Sequence, residues 1–269
     1  MSARNPSRAI RGEHRRALVR LIERISRHAG SSRWNVFPNF VELCAICIAN
    51  TAPANATEHD LREARYHELR AGYVPATFTL FSEALGELIL ATETEGGDVL
   101  GEAFQALELN SEWRGQFFTP YSVSQMMAAM IGVPDEAFKG RSFDKPLTIL
   151  DPAIGAGSLL IACCDAWRKG GLDYVSCAHL TGIDIDERCV HMAYTQLAIR
   201  GAAAVVIHGN GLTGEQWAVW RTPMHVRLGW DARLFQPQEP ELVQVVKRAR
   251  ASGQMNQMSL FGPAEKRAS

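Results

Sequence analysis

From residue 10 to about residue 110 the apolar positions recur every three to four residues, which predicts helices and little else. Ile10, Leu18, Leu21, Ile22 and Ile25 fall on one helical face. FVELCAICIA (40–49) is apolar on nearly all sides, which predicts a central helix. Thr57 with Asp60 has the form of a capping box ahead of EHDLREARYHELR, which Gly72 closes. FTLFSEALGELILA (78–91) and DVLGEAFQALEL (98–109) predict two more helices. Trp34, Phe37, Phe78 and Phe81 fit core positions along this stretch.

After residue 146 the pattern changes. Leu147 to Leu150 form a short apolar run, the mark of a buried parallel strand. It stops at Asp151-Pro152, because proline cannot continue a central strand. Gly155 and Gly157 permit a tight turn with positive φ, and SLLIACCDAW (158–167) resumes helical spacing. HLTGIDID (179–186) predicts a second strand, residues 187–200 a helix ended by Gly201, and AVVIHGNGL (204–212) a third strand. QWAVW (216–220) is a short fourth strand, and ELVQVVKRAR (241–250) a last helix. Residues 132–146 form the loop that delivers the chain to the first strand.

A strand, a glycine turn and a helix opening at that turn present helix N-terminal amides and bare backbone to a ligand. An acid at the end of the second strand, here Asp184, is where such folds hold ribose hydroxyls. Upstream, GQFFTPYSVSQMMAAMIG (115–132) is an aromatic Thr-Pro turn entering a Met-rich helix.

In chain order GQFFTP, DPAIGAGSLL, GIDID and IHGNGL resemble the N6-adenine DNA methyltransferases, most closely the modification subunit of type I restriction–modification systems. The resemblance covers roughly residues 98–225. It implies an α/β fold: a Rossmann-like S-adenosylmethionine-dependent methyltransferase core, cut short after its fourth strand and preceded by a helical N-terminal domain. It also implies that Phe118, Thr119 and Pro120 border S-adenosylmethionine (SAM). The run Asp151, Pro152, Ala153, Gly155 and Gly157 would cradle the methionine end, and Asp184 with Ile185 would meet the ribose and its surroundings. Asn210 stands where the family usually carries an Asp beside the adenine. Asn accepts a hydrogen bond as Asp does but also brings a donor.

The family's catalytic Asn-Pro-Pro-aromatic tetrapeptide, which follows the fourth strand, is absent from the sequence. Its side-chain and backbone acceptors localise the lone pair of the adenine amine, and its ring stacks on the flipped base. The best overlay puts Thr222, Pro223 and His225 in that loop as a degenerate version. Residues 226–269 offer no convincing strand pair, so the fourth strand is expected near a sheet edge. Two readings remain open: an adenine-N6 methyltransferase acting on DNA, or a catalytically silent SAM-binding or decoy modification subunit.

Composition changes this picture little. No apolar run approaches the ~20 residues of a membrane helix, and the first residues lack a signal peptide's apolar core, which predicts a cytoplasmic protein. The cysteine pair Cys44 and Cys47 sits in an apolar helical stretch with no second metal pair, so no metal is expected. A net charge of −1 gives no global nucleic-acid signature, yet residues 1–33 hold nine arginines against two glutamates. Arg16, Arg20, Arg24 and Arg27 line one helical face as candidate DNA contacts, with a solvated face as the simpler alternative. In the polar tail, Gln257, Met258, Ser259, Leu260 and Phe261 are similar to the bacterial sliding-clamp-binding peptide, with Gln257, Leu260 and Phe261 as anchors. The expected organisation is a helical domain (1–112), a methyltransferase-like core (113–235), a C-terminal helix (236–252) and a flexible tail (253–269). Expected partners are DNA, a specificity subunit or full-length modification subunit, and the sliding clamp; no membrane partner is expected.

Overall fold

The computed structural model describes residues 10–109, 118–130, 140–142 and 145–234. The predicted helix at 241–250 and the peptide around Gln257, Leu260 and Phe261 lie outside these residues. Five helices come first. In α1 (Glu13–Ala29) the residues Leu18, Val19, Ile22 and Ile25 are fully buried, and Gly30 ends the helix in the left-handed conformation. Helix α2 (Arg33–Ala49) buries nine residues around its circumference and is the hub of this layer. Helix α3 (Ala56–Ala71) starts two residues earlier than the Thr57 box implies. Asn55 is its cap, its side chain accepting the Glu58 amide at 2.9 Å while donating to the Glu58 carboxylate at 3.2 Å. The short polar Asn therefore serves both ends of the exchange. Helices α4 (Pro75–Thr94) and α5 (Val99–Ala106) follow, the latter capped by the Asp98 side chain on the Gly101 amide.

Helix α6 (Tyr121–Met130) precedes the sheet. The sheet then alternates as β1 (Leu147–Asp151), α7 (Ser158–Lys169), α8 (Tyr174–Cys177), β2 (Ala178–Asp184), α9 (Glu187–Ile199) and β3 (Ala204–Asn210). Strand β4 (Glu215–Arg221) and the short helices α10 (Pro223–Arg227) and α11 (Trp230–Leu234) complete the described chain. The strand order is β1-β2-β3-β4, with the first three parallel and β4 antiparallel to β3. Strand order that advances one way puts right-handed crossover helices on one face. That face, with Leu180, Val206 and Trp220, is buried, while Leu150 on the other is 59 % exposed.

Among the described residues strand β4 sits at a sheet edge, and it arrives there by a hairpin. Asn210 makes the turn: its side-chain oxygen accepts the amides of Leu212 and Thr213, and its carbonyl accepts Gly214, whose φ is +79°. A fourth strand that follows β3 directly must then run backwards. Contacts divide the chain into a unit over Met1–Asp231 and a second over Ala232–Ser269. Among the described residues no helix is long and apolar enough to cross a membrane.

Candidate cofactor cradle

The glycine turn is built at the C-terminal ends of β1 and β2. Asp151 closes β1 and accepts the Ala153 amide at 3.1 Å, which folds the chain back at Pro152. Ile154 donates its amide to the Ile183 carbonyl at 2.9 Å and lays its side chain over Gly182, where any Cβ would collide with it. The turn is thereby stitched onto the neighbouring strand. Gly155 has φ +56° and donates to the Asp184 carboxylate at 2.8 Å. Gly157 has φ +94° and opens α7, and a Cβ there would stand 3.2 Å from the Ala193 Cα on α9. Glycine is required at 157 both for φ and for the approach of the two helices.

Asp184 is the centre of this arrangement. Its second oxygen accepts the Asp186 amide at 2.9 Å. Burial pushes the carboxyl up from its ordinary range, and the amides of Asp186 and Gly155 pull it back. Each carboxylate oxygen has two acceptor sites, so the ones left over can take hydroxyl donors. Asp151 is likewise raised by burial and lowered by the Ala153 amide.

Phe118 lies against the turn, and a Cβ at Gly155 would touch its ring at 3.4 Å. Thr119 and Pro120 follow as exposed residues that start α6, with the Pro120 carbonyl accepting the Val123 amide at 2.8 Å. Ser124 of α6 and Ser158 of α7 share a buried hydrogen bond of 2.8 Å. On the opposite side the hairpin turn after Asn210 presses on Pro152, leaving no room for a Cβ at Gly211. Phe118, Asp151, Pro152, Ala153, Gly155, Gly157, Asp184 and Asn210 therefore gather at one end of the sheet, with Ile185 exposed beside Asp184.

Thr222, Pro223 and His225 are not brought to that end. Because β4 runs antiparallel, it delivers them to the start of β3. There the Thr222 hydroxyl accepts the Ala204 amide at 2.9 Å, donates to the Ala202 carbonyl at 2.8 Å, and caps α10. His225 is fully buried, with one ring nitrogen 2.9 Å from His179 and the other 3.1 Å from Asp231. Burial lowers its affinity for a proton. This is a structural latch at the far end of the sheet, away from the glycine turn.

One set of positioning residues carries no motif. Fully buried Gln196 on α9 donates to the Ala156 carbonyl of the turn and to Asp98, and accepts the Leu100 amide. Arg200, one turn on, bonds Asp165 and the Gly97 carbonyl, while the Tyr121 hydroxyl donates to Asp165 at 2.6 Å. The helical layer and the glycine turn are joined through these side chains. Only their polarity inside an apolar helix could have pointed to them.

Along α1, Arg16, Arg20, Arg24 and Arg27 are exposed on one face, whereas Arg15 is buried against Glu95 and Glu102. Cys44 is buried and Cys47 exposed.

Residues 96–228 match the sequence profile of the N-6 DNA Methylase family. No curated protein matches the chain in sequence. Among solved structures, one match is a protein described as a class I S-adenosylmethionine-dependent methyltransferase from Listeria monocytogenes, at 16% identity and a TM-score of 0.41 over 74% of this chain and 54% of that one. Another is the type I restriction-modification system methyltransferase subunit from Streptococcus thermophilus, at 15% identity and a TM-score of 0.40 over 79% of this chain and 60% of that one. The chain spans a little over half the length of the structures it matches.

Proposed function

We propose, from the match of residues 96–228 to the N-6 DNA Methylase profile, that this chain is a SAM-binding, type I modification-subunit-like protein that works on or with DNA. The observation that carries this is the bond between the Gly155 amide and the Asp184 carboxylate. It sets a bare-backbone turn beside an acid with acceptor capacity to spare, which suits the two ends of an adenosyl amino acid. The residues fit that group: Gly155 holds a φ of +56°, a conformation that disfavours any side chain, so the turn stays bare.

SAM supplies an activated methyl group when bound. The chain's own part is to hold it: the amides of the turn and the opening of α7 face its methionine end. Asp184 accepts from the ribose, and Asn210 with Ile185 borders the adenine. The Asn210 oxygen already serves two turn amides, so its amide nitrogen is the group left for a ligand acceptor.

The second reading, a chain that binds the cofactor without methylating, is favoured by the position of Thr222. A hydroxyl capping the far end of β3 cannot serve a base beside the cradle. On this reading a specificity subunit or full-length modification subunit supplies target recognition and the catalytic loop. The exposed arginines of α1 contact phosphate, and the Gln257–Phe261 peptide docks on the sliding clamp. A methyl-transfer assay on mixed-sequence DNA, with SAM binding measured alongside, separates the two. SAM binding without transfer by this chain alone supports the second, and transfer lost in Asp184→Ala supports the first. Absence of SAM binding removes both.

A further inference from the structure

Strand β4 carries one residue more than β3 can pair. His208 is opposite Ala218 and Gly209 opposite Gln216, so Trp217 is the residue of a β-bulge. Bulges re-aim a side chain and concentrate beside functional sites. Trp217 is 51 % exposed, and among the described residues it is the one Phe, Tyr or Trp that is exposed rather than buried or half-buried. Tryptophan has the largest apolar surface to hide, so leaving it in water is unfavourable unless something covers it.

The ring meets His208 edge-on, with centroids 4.9 Å apart and planes at 81°. His208 in turn reaches the Ile185 carbonyl at 3.2 Å. Ile185 follows Asp184, which holds Gly155. Trp217 is thus joined to the glycine turn through three consecutive contacts, at the same end of the sheet. Ile185 (61 % exposed) and Leu212 (99 %) leave further uncovered apolar surface at that end. A T-shaped neighbour uses only part of an aromatic ring and leaves its face open.

We propose that Trp217 is a stacking face for a nucleobase at the outer end of the cradle. This rests on the reading of the cradle as a site for a nucleoside-bearing cofactor in a DNA-directed protein. An exposed indole face takes any base ring without needing hydrogen-bond partners. The ring comes either from the nucleoside in the cradle or from an unpaired base of the nucleic acid.

Titrations of adenosine and of a single-stranded oligodeoxynucleotide into the full chain, its Trp217→Ala variant and its Trp217→Phe variant test this. At least one of the two ligands is expected to bind roughly tenfold or more weakly to Trp217→Ala, with Trp217→Phe keeping most of the affinity. Loss confined to adenosine assigns the ring to the bound nucleoside, and loss confined to the oligonucleotide assigns it to nucleic acid. Equal binding of both ligands by wild type and Trp217→Ala overturns the proposal. So does a change from dimer to monomer in Trp217→Ala with ligand binding intact, because the ring is then covered by a second copy. If wild type binds neither ligand the proposal falls, and the cofactor reading falls with it when SAM also fails to bind, whereas binding indifferent to Trp217 removes only this role.

Discussion

The side-chain amide of Gln196 donates to the carbonyl of Ala156 at 3.0 Å, tying the last turn of α9 to the glycine turn. The same amide serves Asp98, and its oxygen takes the Leu100 amide. One residue therefore fixes the turn to the helical layer. Replacing Gln196 by Ala takes this partner from the buried Ala156 carbonyl and Leu100 amide, each worth about 1–3 kcal/mol when left unpaired, and leaves Asp98 with the Gly101 amide. Urea unfolding of Gln196→Ala should show a loss of at least about 2 kcal/mol, with weaker SAM binding in whatever fraction stays folded. An unchanged midpoint would show that the turn stands without this tie.

Asp98 lies at the other end of that contact and gives a pH signature. Burial raises its pKa to about 6, outweighing the help of Gln196 and the Gly101 amide, against 3.8 as the ordinary value. The folded state therefore holds a proton that the unfolded chain releases from about pH 4 upward. The contribution of Asp98 is greatest below pH 4, declines as pH rises toward 6, and is constant above. The difference is about 3 kcal/mol at 1.36 kcal/mol per pH unit. Asp98→Asn keeps an acceptor for Gly101 and should flatten that decline. Unfolding midpoints at pH 4.5 and 6.5, compared between the two proteins, check it.

Thr222→Ala separates the far-end latch from the cradle. Its hydroxyl bonds Ala204 and Ala202 and caps α10. Its loss should cost about 1–2 kcal/mol of stability and leave SAM affinity unchanged. A drop in SAM affinity at full stability would return Thr222 to the site.

The arginine stripe makes a prediction about salt. Arg16, Arg20, Arg24 and Arg27 are exposed on one face of α1. If they contact phosphate, the slope of log affinity for duplex DNA against log salt shifts by about 0.9 for each one removed. Arg20→Gln with Arg24→Gln should therefore flatten it by roughly 2. An unchanged slope assigns the stripe to solvent.

Much of this architecture was legible in the residues. The apolar spacing marks α1 and α4, and the shift to a β-branched run before Asp151-Pro152 marks β1. The paired glycines mark the turn, and Asp184 the end of β2. The antiparallel direction of β4 follows from Asn210-Gly211 and Gly214 between two apolar runs, which spell a reverse turn, whereas resemblance to a family speaks only to the presence of a fourth strand. With that direction, Thr222 and His225 come to the end of the sheet away from the glycine turn. Gln196, Arg200 and Asp165 leave no periodic or motif signal, since their role exists only after α5, α7 and α9 have packed. Trp217 was invisible for a related reason, because a bulge is a mismatch between two strands and neither strand alone records it.

Calorimetric titration of SAM into the full chain and into Gly155→Val tests the cradle most directly. Valine at this position meets Phe118 and opposes a φ of +56°. Saturable one-to-one binding by the wild type, lost in folded Gly155→Val and kept in Thr222→Ala, is the predicted result. Absence of binding by the wild type, or equal affinity in Gly155→Val, would contradict it.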